Sequence, residues 1–155
     1  MTIRYYINPD LNIILYVGEK IVTGSEYFQA AKAASQDKLR KWGMVTIIDV
    51  LSAEVDFELK DMRFAIDIND NLSEKGLESE EVAVLSHSKG IRLIADTLKL
   101  LPSNSAIKLE VFNTVEDLIS SLGFSEQKQE FLEFYNKHKL HNTRKVENLN
   151  LAKAN

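Results

Sequence analysis

The 155-residue chain contains no cysteine, which excludes disulfides, thiolate metal sites and cysteine nucleophiles and is compatible with a reducing compartment. Its six glycines and two prolines are scattered. Neither a Walker loop nor a G-x-G-x-x-G turn can be assembled from them, so the usual backbone cradle for nucleotide phosphates is missing and no cofactor is expected. The three histidines, His87, His138 and His141, form no H-x-x-x-H or H-E-x-x-H pair and suggest no metal site. No apolar run approaches the ~18 residues of a membrane span. The start, Met1-Thr2-Ile3-Arg4-Tyr5-Tyr6, lacks the basic-then-apolar order of a signal peptide. A cytoplasmic location without stable membrane insertion is the expectation. Excess positive charge is also lacking: 19 Lys and Arg stand against 23 Asp and Glu, a net charge of -4. Nothing in that balance favours phosphate backbones, and nucleic acid is not expected as a partner.

The chain does have the length of one domain, able to bury about two-thirds of its unfolded surface, and a regular alternation of apolar patterns. Ile3 to Ile7 and Asn12 to Val17 are β-branched and aromatic runs around the turn-forming Asn8-Pro9-Asp10, which predicts a β-hairpin. After Gly18, the residues Phe28, Ala31, Leu39 and Trp42 recur at helical spacing, with Thr23 or Ser25 as the cap and Gly43 as the stop. Met44 to Val50 is a continuous apolar run of strand length, suited to a strand covered on both faces. Leu59, Met62, Ile66 and Leu72 mark a second helix, and Val82 to Leu85 a second buried strand. Ser88 can cap a third helix on Ile91, Ile94, Ala95, Leu98 and Leu101, stopped by Pro102. Ala106 to Phe112 alternates as a last strand. Thr114-Val115-Glu116-Asp117 then opens a fourth helix, on Val115, Leu118, Ile119 and Leu122, ended by Gly123. Strands separated by helices run parallel through right-handed crossovers. The expected fold is therefore α/β, with a mixed, mostly parallel sheet of about five strands, an N-terminal hairpin, four helices and a C-terminal tail helix.

Three segments follow. Residues 1–123 form the α/β domain. Residues 124–140 form a helix whose stripe of Phe124, Phe131, Phe134 and Tyr135 covers either its own sheet or a neighbouring subunit. Residues 141–155, with few apolar side chains, are expected to be disordered.

This order of elements resembles the STAS domain, the fold of bacterial anti-sigma-factor antagonists, and its SpoIIAA-like relatives. The resemblance spans Met1 to Gly123. It is carried by the hairpin leading to Gly18, the strand end Ile47-Ile48-Asp49, the strand Val82-Ala83-Val84-Leu85, and Val111 to Leu118 with Ser121-Leu122-Gly123. In the antagonists, an Asp-Ser-Ser-Gly turn follows the aspartate-ended strand, and a partner kinase phosphorylates its serine. Spacing from Asp49 puts that turn on Asp56-Phe57-Glu58-Leu59, which has no hydroxyl and no glycine, so the phosphoserine switch is absent from that position. Glu58 there suits a helix N-terminus and also supplies constant negative charge.

In open α/β sheets, ligands gather beyond the carboxyl ends of the parallel strands. That edge collects Asp49 and Ser52, then Ser86-His87-Ser88-Lys89, then Asn113 and Thr114. Ser88 and Thr114 are equally suited to capping helices. Ser86-His87-Ser88-Lys89-Gly90 approximates a G-x-S-x-G nucleophile elbow without its first glycine, and His138 and His141 lie in or beside the expected loose tail. The reading that follows is a non-enzymatic, STAS-like regulatory module. It binds a protein partner, or itself as a homodimer, through Asp56 to Ile66, and the candidate residues are Asp49, Ser52, Asp56, Glu58, His87 and Ser88. The alternatives are a carrier or sensor of a small apolar, lipid-like ligand, and a serine hydrolase built on Ser88.

Overall fold

The computed structural model describes residues 2–58, 60–61, 80–100 and 107–139. Strands β1 (Ile3–Asn8) and β2 (Ile13–Gly18) form an antiparallel hairpin with Ile3 opposite Gly18 and Asn8 opposite Ile13. The turn is built by Asn8, whose Oδ1 accepts the backbone N–H groups of Asp10 and Leu11 at 3.0 and 3.1 Å. Such an Asx turn is a local alternative to extended backbone, and it sets the hairpin register. Strand β3 (Lys20–Thr23) leads into helix α1 (Gly24–Ser35), followed by β4 (Val45–Asp49), β5 (Ala53–Asp56) and β6 (Glu80–Leu85). Helix α2 (Lys89–Lys99), strand β7 (Ile107–Phe112), helix α3 (Val115–Ser121), a 3₁₀ turn (Ser125–Gln127) and helix α4 (128–139) complete the order.

The main sheet has five strands in the order β1-β2-β4-β6-β7, and every pair except the hairpin is parallel. The fold is therefore the α/β class that the sequence predicts, a mixed and mostly parallel sheet with four helices among the described residues. All six residues of β2 are buried, because the two-residue period of a strand sends Ile13, Leu15 and Val17 to one face and Ile14 and Tyr16 to the other. On the first face they meet Ile47, Ala83, Leu85, Leu118, Ile119, Phe131 and Tyr135, under α3 and α4. On the second they meet Val82, Val84, Ala30, Ala34 and Ile91, under α1 and α2. Burial on both faces explains why the central strands read as unbroken apolar runs.

Two features depart from the sequence reading. Helix α1 does not continue to Gly43: it ends at Ser35, and Leu39 and Trp42 are half-exposed. The cause is Asp37, whose Oδ1 accepts the Leu39 N–H at 2.9 Å and whose Oδ2 accepts the Tyr5 hydroxyl at 3.1 Å, while its carbonyl takes the Arg40 N–H. These bonds hold the chain in a turn. Second, β3 and β5 pair in parallel as a separate two-stranded sheet, with Val22 beside Val55. Asp56, expected near a helix start, instead ends a strand. His138 lies in the last turn of α4 and is half-buried, its ring stacked on Tyr6 at 3.9 Å between centroids. The second expected helix falls outside the described residues apart from helical residues 60–61, and the expected disorder of 141–155 lies wholly outside them.

Candidate functional site

The parallel strands end at Gly18, Asp49, Leu85 and Phe112, and the polar groups beyond those ends are held by short-range contacts. Ser86 is 1 % exposed; its N–H donates to the Phe112 carbonyl at 3.0 Å and its Oγ accepts the Ser88 N–H at 3.0 Å. Ser88 is exposed at the start of α2, where its Oγ accepts the Ile91 N–H at 3.4 Å. Thr114 Oγ1 accepts the Asp117 N–H at 3.1 Å and caps α3. Arg92 donates to the side-chain carbonyl of Asn113, joining α2 to the end of β7. His87 and Ser52 are exposed. His138 lies over Tyr6 on the edge strand β1, three strand spacings or about 14 Å from β6 in sheet order. The structure does not bring it to Ser88.

Asp49 is different in kind. It is 2 % exposed at the end of the central strand β4, and it is a full charge taken from water. Its Oδ1 accepts the Leu51 N–H at 3.0 Å, and its Oδ2 accepts the Tyr135 hydroxyl at 2.6 Å and the Lys139 ammonium at 3.0 Å. Lys139 also donates to the Tyr135 oxygen at 2.9 Å. Tyr135 and Lys139 are four residues apart on α4 and so share one face of the helix. Burial, the Asp49 carboxylate beside it and, more weakly, Glu116 push the Tyr135 phenol well above its ordinary range. A phenol held in its neutral form donates a hydrogen bond but is a poor base, and the Lys139 cation is neutralised by Asp49. The constellation therefore works as a clamp, tying the last turn of α4 to the end of β4. The i, i+4 spacing of Tyr135 and Lys139 is visible in the sequence, but their partner lies more than eighty residues earlier.

Around β5 the surface has another character. Asp56 and Glu58 are exposed, Glu58 pairs with Lys60 at 2.8 Å, and the Glu58 N–H donates to Asp61 Oδ2 at 2.8 Å. Asp61 thereby caps the start of helical residues 60–61, and its carboxylate lies against Gly24, where an added Cβ would come within 2.2 Å of the carboxyl carbon. Two large apolar side chains stand out beside these acids: Ile21 on β3, 52 % exposed, and Phe57 just beyond β5, 38 % exposed. Asp56 and Glu58 thus lie at and just beyond the end of β5 and Ser52 just before its start, whereas Asp49 ends β4 and His87 and Ser88 follow β6. Among the described residues, no cluster of His, Asp and Glu is arranged to hold a metal ion, and no helix is long and apolar enough to cross a membrane.

No protein-family model matches the chain, and no curated protein matches it in sequence. Among solved structures, it is similar to an uncharacterized protein of the DUF3478 family with a SpoIIAA-like fold from Shewanella loihica PV-4. The match covers 77 % of this chain and 91 % of the other at a TM-score of 0.50, with 12 % sequence identity. The order of the sheet, the helices on both of its faces and this likeness agree, and the chain has a SpoIIAA-like fold.

Proposed function

We propose that the protein is a non-catalytic, STAS-like module that acts by binding a protein partner through the surface formed by β3, β5 and residues 56–58. One observation carries this reading. Ile21 and Phe57 hold apolar area in water beside the exposed carboxylates of Glu54, Asp56 and Glu58, whereas Ser86, Ser88, Thr114 and Asp49 of the carboxyl edge are engaged in caps and in the Asp49 clamp. An apolar centre with a charged rim is the common anatomy of a protein interface. The fitting partner offers an apolar contact ringed by basic side chains. A phosphoserine switch plays no part, because residues 56–58 carry no hydroxyl. Photo-crosslinking tests the proposal, with a benzophenone amino acid placed at Phe57 and, as control, at exposed Trp42, in the full chain and in its native host. A discrete protein adduct at Phe57 that is lost on Ile21→Asp supports it. Equal labelling at the two positions, or labelling unaffected by Ile21→Asp, removes it.

A further inference from the structure

We propose that β7 is the contact edge of a symmetric homodimer, in which β7 of two copies pair antiparallel about Leu109 and join their main sheets into one. This goes beyond the binding surface around Phe57 and does not depend on it. Strand β7 closes one side of the main sheet, with β6 as its only strand partner among the described residues. An edge strand offers a row of backbone donors and acceptors to any chain that can match it.

The direction of those groups is fixed by one bond. The Phe112 carbonyl accepts the Ser86 N–H, so Phe112 points its backbone groups toward the β6 side. Alternation along the strand turns those of Glu110 and Lys108 the same way and those of Ile107, Leu109 and Val111 outward. A two-fold axis normal to the sheet keeps the same face up in both copies. Strand pairing then has to join residues of matching face, and the available registers are centred on Lys108, Leu109 or Glu110.

Charge chooses among them. Lys108 and Glu110 are both exposed, and as second neighbours they share a face, on which Glu110 accepts the Ser121 hydroxyl of α3 at 3.5 Å. Centring on Lys108 sets two lysines face to face, and centring on Glu110 sets two glutamates face to face, both unfavourable directly across a strand pair. Centring on Leu109 places Lys108 of each copy opposite Glu110 of the other. In the same register the outward groups meet, Leu109 with its symmetry mate and Ile107 with Val111, each pair exchanging both N–H···O bonds. The opposite edge of the sheet lacks this property, since β1 carries Arg4 as its one charged residue.

The other face of β7 is apolar: Leu109 and Val111 are half-buried there. Helix α2 packs on β7 and carries Leu93, 69 % exposed, with Leu100, 86 % exposed, seven residues on and just beyond its end. The contact is isologous and closed, which stops growth at two copies.

Sedimentation equilibrium of the full chain over a concentration series provides the test. The wild type is expected to dimerise. Lys108→Glu sets like charges opposite twice in the interface and weakens association roughly tenfold or more, while the exchange Lys108→Glu with Glu110→Lys restores the unlike pairs and the wild-type affinity. Leu109→Pro removes an outward N–H that pairs with no strand among the described residues and abolishes dimerisation, with an unchanged circular dichroism spectrum showing that the monomer still folds. A wild type that stays monomeric throughout the series overturns the proposal. So does a dimer indifferent to both Lys108→Glu and Leu109→Pro, or one that the charge exchange fails to restore.

Discussion

Replacing Asp49 by Ala removes the acceptor on which two side chains of α4 converge. The carboxylate is 2 % exposed, while the two groups that depend on it differ: Tyr135 is 4 % exposed, but the Lys139 side chain is 30 % exposed. After the change Lys139 regains water, whereas the Tyr135 hydroxyl has its donor left without Asp49 in a dry site. A buried donor stripped of its partner costs about 1–3 kcal/mol, and a charge-assisted bond is lost with it. Partial hydration of Lys139 keeps the cost below that of a wholly buried pair, so Asp49→Ala is expected to destabilise by about 3 kcal/mol. Tyr135→Phe removes one bond and leaves Asp49 with Lys139 and the Leu51 N–H, for about 1.5 kcal/mol. Lys139→Met leaves the buried Asp49 carboxylate with neutral donors only and is expected to cost about 3 kcal/mol, comparable to Asp49→Ala. Urea unfolding read by circular dichroism measures the series, with an unchanged m-value showing that the midpoint reports stability. Hydrogen exchange in the last turn of α4 rises in the same order. The clamp reasoning is refuted if Asp49→Ala falls within about 0.5 kcal/mol of wild type, the range of an ordinary surface substitution, or if Tyr135→Phe costs more than Asp49→Ala.

The raised Tyr135 phenol makes stability fall in alkali. The unfolded chain releases this proton near the ordinary value of 10.0 while the folded chain retains it, so the stabilisation is whole below that pH and is lost as pH rises above it. The contribution declines by at most ~1.4 kcal/mol per pH unit, and comparing wild type with Tyr135→Phe by urea unfolding at pH 9 and 11 isolates it. Gly18→Ala puts a Cβ 2.7 Å from a Val22 methyl and 3.0 Å from a Val50 methyl; both valines are buried, and thermal melting should show a loss of about 1–3 kcal/mol from overpacking. Phe131→Ala empties the largest fully buried side chain under α4 and is expected to cost about 3–5 kcal/mol by urea unfolding. Thr23→Ala breaks the capping box in which Thr23 and Glu26 each accept the other's backbone N–H, lowering stability by about 1 kcal/mol in the same assay.

The parts of the fold legible in the sequence are those whose cause is local. Asn8 builds its own turn, and Thr23 and Thr114 cap helices a few residues away. Central strands β2, β4 and β6 announce double-sided burial as apolar runs, and alternation with helices then implies parallel order through crossover handedness. The misreadings have non-local causes. Leu39 and Trp42 fit a helical period, yet Asp37 is drawn toward Tyr5 of β1 and the chain turns. The four-residue strands β3 and β5 have too little pattern to announce themselves, and each is ordered by pairing with a partner about thirty residues away. Asp49 was visible as a polar strand end, but its meaning was not.

By itself, then, the sequence determined the class of the fold, the order and direction of its principal strands, and the absence of cysteine chemistry and of a nucleotide loop. Tertiary structure alone decided that Asp49 meets Tyr135 and Lys139, that Ile21 and Phe57 stand beside the acids of β5 and just beyond it, and that β7 borders the main sheet among the described residues with the Lys108 and Glu110 side chains exposed. Period and capping depend on neighbours within a few residues and can be read along the chain. Which distant groups share a buried carboxylate, and which edge stays open, depends on how the helices close over the sheet once every local preference has been met.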